Sequence, residues 1–210
     1  MPFLIIATEQ RHGRGRGGNH WHSPAGNFYG TFAVAANRPA ALMAQVSFVA
    51  ALALAKVLEG WDLQVTVKWP NDVLVNDAKI SGILLEKHGS ILLVGLGLNV
   101  ASHPDLEGYA ATSLAALGLQ VRPDEIAEVL AGSFWSIYQG WLCDGFAPVR
   151  QQWLARAKGL GQPIAVRLAG QGARHGLFHG LGPEGALQLR GDAGIEEYHA
   201  GEVYFHATCH

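Results

Sequence analysis

Apolar residues recur along this chain at two spacings, one suited to strands and the other to helices. Phe3–Thr8 is a short run of β type, and Asn27–Ala35, with Phe28, Tyr29, Phe32 and Val34, reads as a strand. Pro39 opens a long helix that runs to about Glu59, where Gly60 ends it. Proline suits the first helical turn because the N–H it lacks would be unpaired there anyway, and glycine suits the position past the last turn. Leu63–Lys68 alternates apolar and polar residues as a half-buried strand should. Val73–Val75 and Ile80–Glu86 predict a hairpin with Asn76 and Asp77 in the turn, and Ile91–Val100 is a further, largely apolar strand. Pro123–Cys143 sets Ile126, Val129, Leu130, Phe134, Ile137 and Trp141 near helical spacing, and Pro148–Lys158 predicts a third helix.

Past Gly159 the pattern changes to short β segments punctuated by glycine: Pro163–Leu168, Arg174–Leu181, Ala186–Arg190, Ile195–His199 and Glu202–Phe205. Strands this short and this evenly spaced predict a small barrel. The boundary falls near Gly159–Gly161, which divides the chain into an α+β domain over 1–159 and a small all-β domain over 160–210. The first is expected to hold a mixed, mainly antiparallel sheet with helices.

Composition narrows the class. The fractions of 49% hydrophobic and 15% charged residues over 210 positions describe a globular protein with ample material for a core. The stretch Ala40–Leu58 is nearly apolar enough to span a membrane, but Gln45, Ser47 and Lys56 interrupt it and basic anchors do not flank it. It is expected to be a buried core helix, and no membrane association is expected. Net charge is −2, so no broad field attracts nucleic acid; Arg11, Arg14 and Arg16 are a local exception. Cys143 and Cys209 form neither a disulfide framework nor a metal-ligand spacing, which fits a reducing cytoplasm.

Three segments carry candidate chemistry. In Thr8–Gly18, alternating glycines let backbone approach a ligand and present N–H groups to anions, while the arginines add planar, permanently charged donors. A flexible surface turn, or an arginine/glycine segment touching RNA, has the same composition. The second segment is Lys68-Trp69-Pro70-Asn71-Asp72 followed by Lys79-Ile80-Ser81-Gly82. Pro70 stops the strand and aims Asn71 and Asp72, and Lys79 is placed to reach back towards a ligand; a plain Pro-Asn-Asp turn beside a solvated lysine is the alternative. The third is Gly95-Leu96-Gly97-Leu98-Asn99-Val100, where glycines inside an apolar strand signal a ligand or another backbone packed close.

In order and spacing, these segments together resemble the biotin protein ligase family. The matching residues are Glu9-Gln10, Gly13–Arg16, Trp21, Ser23-Pro24, Gly26-Asn27, Lys68–Asp72, Lys79 with Gly82-Ile83-Leu84, and Gly95–Val100. Gly201-Glu202-Val203 resembles the end of that family's SH3-like cap. The Arg-Arg…Ser-Gly-Gly-Gly loop of the related lipoate ligases is not present. The resemblance implies the class II synthetase-like fold of biotin and lipoate ligases. It also implies a two-step reaction, in which biotin and MgATP give biotinyl-adenylate and a lysine of a biotin carboxyl carrier protein then takes the biotinyl group.

Carried over residue by residue, the resemblance assigns Lys79 and Arg16 to catalysis. It assigns Gln10, Arg14, Gly15, Arg16, Trp21, Lys79 and Gly82 to biotin and the adenylate. Asn71, Asp72 and Asn99 fall to the nucleotide, with magnesium near Asp72. The family's Asp-Ser-Thr-Asn segment and the helix before the first motif strand are not in this sequence, so the start is expected to be misplaced or the site built differently. Asn19 stands where the family has a second basic residue, Gly17 replaces a frequent arginine, and Val203–His206 lacks an arginine found in some members. Without a helix-turn-helix ahead of the domain, no DNA binding is expected, and a homodimer is left open. His20, His22, His206 and His210 form no closed set of metal ligands. The alternative functions are a non-catalytic module that binds an acyl-adenylate or carrier, and a ligase for lipoate or another acid.

Overall fold

The computed structural model describes residues 3–105, 110–168, 170 and 172–205. His206, Cys209 and His210 lie outside the described residues. Six strands form the first sheet: β1 (Phe3–Ala7), β2 (Phe28–Ala35), β3 (Val65–Lys68), β4 (Asp72–Val75), β5 (Ala78–His88) and β6 (Ile91–Leu98). Their order is β1-β2-β6-β5-β4-β3, and every pair is antiparallel. Among the described residues, parallel character enters only through the isolated bridges Val67 to Ala157 and Lys79 to Ala111. Asn76 and Asp77, at φ 49° and 65°, turn β4 into β5 with both residues left-handed. That turn matches the strands' twist, and Asn and Asp tolerate it better than other side chains.

The expected single helix from Pro39 to Glu59 is two: α1 (Ala40–Ala44) and α2 (Val46–Glu59). At the break Gln45 keeps right-handed backbone, φ −63° and ψ −20°, and its side chain is tied into the packing. Gln45 is buried, and its Oε1 accepts the Trp141 indole N–H at 2.9 Å while its Nε2 donates to the Pro183 carbonyl at 3.4 Å. Gly60 follows α2 but stays right-handed at φ −65°, and the reversal to left-handed backbone comes at Asp62. Residues 40–59 are long and apolar enough to cross a membrane by composition alone, yet α2 is buried on nearly every face. An all-round apolar helix has no other stable place in a folded domain.

Two helices close over α2: α3 (Pro123–Asp144) and α4 (Ala147–Leu154). α3 presents Ile126, Leu130, Phe134, Tyr138 and Trp141 to the core, and Phe134 stacks on Phe32 of β2 at 4.0 Å. β7 (Pro163–Arg167), β8 (Ala173–Leu181), β9 (Leu187–Gly191), β10 (Gly194–Tyr198) and β11 (Glu202–Phe205) then form a second antiparallel sheet in the order β10-β9-β8-β7-β11. It is joined to the first domain by side chains as well as by chain. The Trp69 indole donates to the Gly185 carbonyl at 3.2 Å, and a Cβ at Gly185 would meet Phe48 at 2.8 Å.

Trp141→Phe removes the donor to Gln45 and strands a buried amide oxygen. Urea denaturation is expected to show a loss of about 1–3 kcal/mol; an unchanged midpoint would mean that Gln45 does not depend on this bond.

Candidate active site

The Gly/Arg segment is a small hairpin of its own. The Trp21 N–H donates to the Gly13 carbonyl at 2.9 Å, the Gly15 N–H to Asn19 at 2.7 Å, and Arg14 and His20 form a bridge. Arg16–Gly18 is a single 3-10 turn at the tip, where Gly17 and Gly18 have φ of 65° and 83°. Gly13 admits no side chain, because a Cβ there would lie 2.3 Å from the Trp21 carbonyl oxygen. The Gly15 N–H is taken up in closing the loop. Gln10 anchors the base, its N–H donating to the Ser23 carbonyl and its Nε2 to Ser23 Oγ, each at 3.1 Å.

Below the loop, Gly82 of β5 and Gly97 of β6 face each other in register. Together they make a notch in the sheet, and the Trp21 indole lies in it. A Cβ on Gly97 would meet Trp21 Nε1 at 2.3 Å, and one on Gly82 would meet Trp21 Cζ3 at 3.1 Å. Trp21 Nε1 is buried and has no hydrogen-bond partner among the described residues. The Lys79 ammonium sits 5.5 Å from the centre of that ring and pairs with the Asp72 carboxylate at 2.7 Å.

Arg14, Gly15, Arg16, Trp21, Asn71, Asp72, Lys79, Gly82 and Asn99 all line one cleft of about 1610 Å³ together with Gln10. Ligand pockets commonly run to about 300–1,000 Å³, so this one has room for an acid and a nucleotide together. The loop is also the wall of a second cavity of about 760 Å³, on the side of Ser47, Phe48, Trp69 and Gly185. Within the cleft some assigned residues are held by the protein itself. Asn71 Nδ2 donates to the Ile83 carbonyl at 2.8 Å, and Asn99 Nδ2 to the Thr112 carbonyl at 3.0 Å. Arg14 pairs with Glu86 at 2.9 Å.

The electrostatics are cationic with embedded carboxylates. Burial lowers the pKa of the Arg16 guanidinium, and the charges of Asp72 and Glu202 oppose that shift. Burial also pushes the Lys68 ammonium down, with Asp72 acting against it and Lys79 reinforcing it. Cations held in a partly dry site act on a bound anion through a lower effective dielectric than water. The sequence reading assigned no role to Lys68, Glu86, Arg167 or Glu202, all of which line the cleft. Lys68 carried a signal, since it opens the Lys-Trp-Pro-Asn-Asp run; Arg167 carried none. Gly26-Asn27 proves structural: Asn27 Oδ1 accepts the N–H groups of Val100 and Ala101 at 2.9 Å and of Ser102 at 3.1 Å. Among the described residues no group of three or more His, Cys, Asp and Glu is placed to hold a metal.

Gly97→Ala must displace the Trp21 indole, so a shift in tryptophan emission is expected with the far-ultraviolet circular dichroism retained; identical emission spectra would place the indole elsewhere.

Comparison with known proteins identifies the family. Residues 1–100 match the biotin/lipoate A/B protein ligase family, and residues 159–206 match the biotin protein ligase C-terminal domain. A biotin–[acetyl-CoA-carboxylase] ligase of Paracoccus denitrificans is 43% identical over 96% of this chain and 89% of its own length. The bifunctional ligase/repressor BirA of Bacillus subtilis is 28% identical over 95% of this chain, which spans 65% of that longer protein. The structure of a biotin protein ligase from Aquifex aeolicus in complex with biotin and ATP superposes with a TM-score of 0.86. It is 26% identical, over 96% of this chain and 87% of that one. With both parts of the chain matched and the motif residues gathered in one cleft, the chain belongs to the biotin protein ligase family.

Proposed function

We propose that the chain activates biotin with ATP to biotinyl-5′-AMP and transfers the biotinyl group to a lysine of a biotin carboxyl carrier protein. The observation that carries this reading is the Lys79–Asp72 pair over the Gly82–Gly97 notch, with Arg16 lining the same cleft, in a chain so similar to a named biotin–[acetyl-CoA-carboxylase] ligase. In the first step a carboxylate oxygen of biotin bonds to the α-phosphorus of ATP and pyrophosphate leaves. In the second, the carrier amine attacks the carbonyl carbon of the mixed anhydride, AMP leaves, and the amine loses a proton.

Both transition states gather negative charge on oxygen, so the chief requirement is positioned positive charge rather than an enzyme nucleophile. Lys79 meets it at the carboxylate and α-phosphate, and Arg16 holds the acyl-phosphate. Gln10, Arg14, Gly15, Trp21 and Gly82 line the biotin and adenylate side, while Asn71, Asp72 and Asn99 serve the nucleotide. Magnesium typically takes one or two protein carboxylates and completes its shell with phosphate oxygens and water. Asp72, a largely buried carboxylate in the cationic cleft, fits that donor set, and the ion would there neutralise phosphate charge. The cysteine pattern and the burial of α2 support a cytoplasmic location.

Lys79→Ala and Arg16→Ala are each expected to slow pyrophosphate release from biotin and ATP by on the order of 10²–10³-fold, and Arg16→Ala to let biotinyl-adenylate escape into solution. Undiminished rates in both variants would refute their assignment. Lipoate in excess is expected not to compete with biotin; equal competition would point to a different acid.

A further inference from the structure

The far wall of the cleft belongs to the second sheet, and its chemistry is still unassigned. Arg167 on β7 and Glu202 on β11 are register partners, and Tyr204 follows two residues on, so the strand period sets all three on one face. All three line the cleft. The Arg167 guanidinium carbon lies 4.7 Å from the centre of the Tyr204 ring, and Lys68 Nζ reaches the same ring from β3 at 5.8 Å. One aromatic ring thus holds a cation from each sheet. Glu202 does not neutralise its neighbour by contact. It accepts the Tyr204 hydroxyl at 2.6 Å, and Arg167 takes part in none of the ion pairs among the described residues. Arg16 lines the same cleft, together with Asp72 and Glu202.

We propose that Arg167, together with Lys68, binds the β- and γ-phosphates of ATP and the pyrophosphate that departs. This rests on the ATP-dependent activation proposed above. When the biotin oxygen bonds to the α-phosphorus, the bridging P–O bond between the α- and β-phosphates breaks and its electron pair leaves with pyrophosphate. No proton is required. Lys79, over the notch, serves the end where the new bond forms, so the departing charge needs other cations, which Arg167 on the second sheet and Lys68 on β3 supply. Arg167 brings a planar group with several donors, suited to paired phosphate oxygens. Binding across the cleft also gives the second sheet a part in the first step alone.

The test uses the full chain with Arg167→Ala and Arg167→Lys. Arg190→Ala removes the same charge from β9, outside the cleft, as a control. Calorimetry with tripolyphosphate reads anion binding without turnover, and steady-state assays read KM for ATP and for biotin. Arg167→Ala is expected to weaken tripolyphosphate binding and raise KM for ATP, each on the order of tenfold. KM for biotin, and biotinyl transfer to the carrier from chemically prepared biotinyl-adenylate, should stay within about twofold. Arg167→Lys should recover part of the loss. Tripolyphosphate binding that is unchanged in Arg167→Ala, or weakened equally in Arg190→Ala, would overturn the proposal. A parent chain that forms no adenylate from biotin and ATP would overturn the function instead, and tripolyphosphate binding would still decide Arg167.

Discussion

The site depends on one irregularity in a strand. Asp72 pairs with Gly82 and Val73 with Ser81, but Leu74 then pairs with Lys79, so Ile80 is an extra residue in β5. A bulge of this kind shifts the alternation of side chains by one place. Ile80 is thereby fully buried, while Lys79 extends over Gly82 with its ammonium 3.6 Å from where that glycine's Cβ would be. In an unbroken ladder the lysine would not reach both Asp72 and the notch. The pair is largely withdrawn from solvent, with side-chain exposures of 21% and 12%. A half-buried charge that loses its partner is costly, so each member holds the other in the cleft.

What the sequence disclosed follows from how local each cause is. The Asn76-Asp77 turn, the amphipathic face of α3 and the all-apolar α2 arise from neighbouring residues, and all were legible. The burial of Gln45 was not, because its partners Trp141 and Pro183 lie far along the chain. The same holds within the site. The motif residues were legible as a set, but the register that opposes Gly82 to Gly97, and so makes a slot the width of an indole, belongs to the pairing of β5 and β6. Arg167 had no local mark at all: only the second sheet's position brings it to the cleft.

The glycines of the site divide by task. Gly13, Gly82 and Gly97 are places where a side chain would meet another part of the protein, whereas Gly17 and Gly18 have nothing near them and are needed for their left-handed backbone. The first group fixes the spacing between loop and sheet. The second turns the loop tip, so that Arg16 enters the cleft from a short, tightly folded base.

The join between the two sheets has a further consequence. Arg156–Lys158, which lead out of α4 towards β7, are laced to β3: the Val67 N–H donates to the Arg156 carbonyl and the Lys158 N–H to the Val67 carbonyl, each at 2.9 Å. Arg156 also grips Glu59 at the end of α2 with bonds of 2.6 and 2.9 Å, and Trp69 and Phe48 lie under Gly185. Melting the second sheet alone would bare Phe48 and Trp69 where they lie under Gly185. Separating the two regions would therefore cost apolar burial, which couples their unfolding.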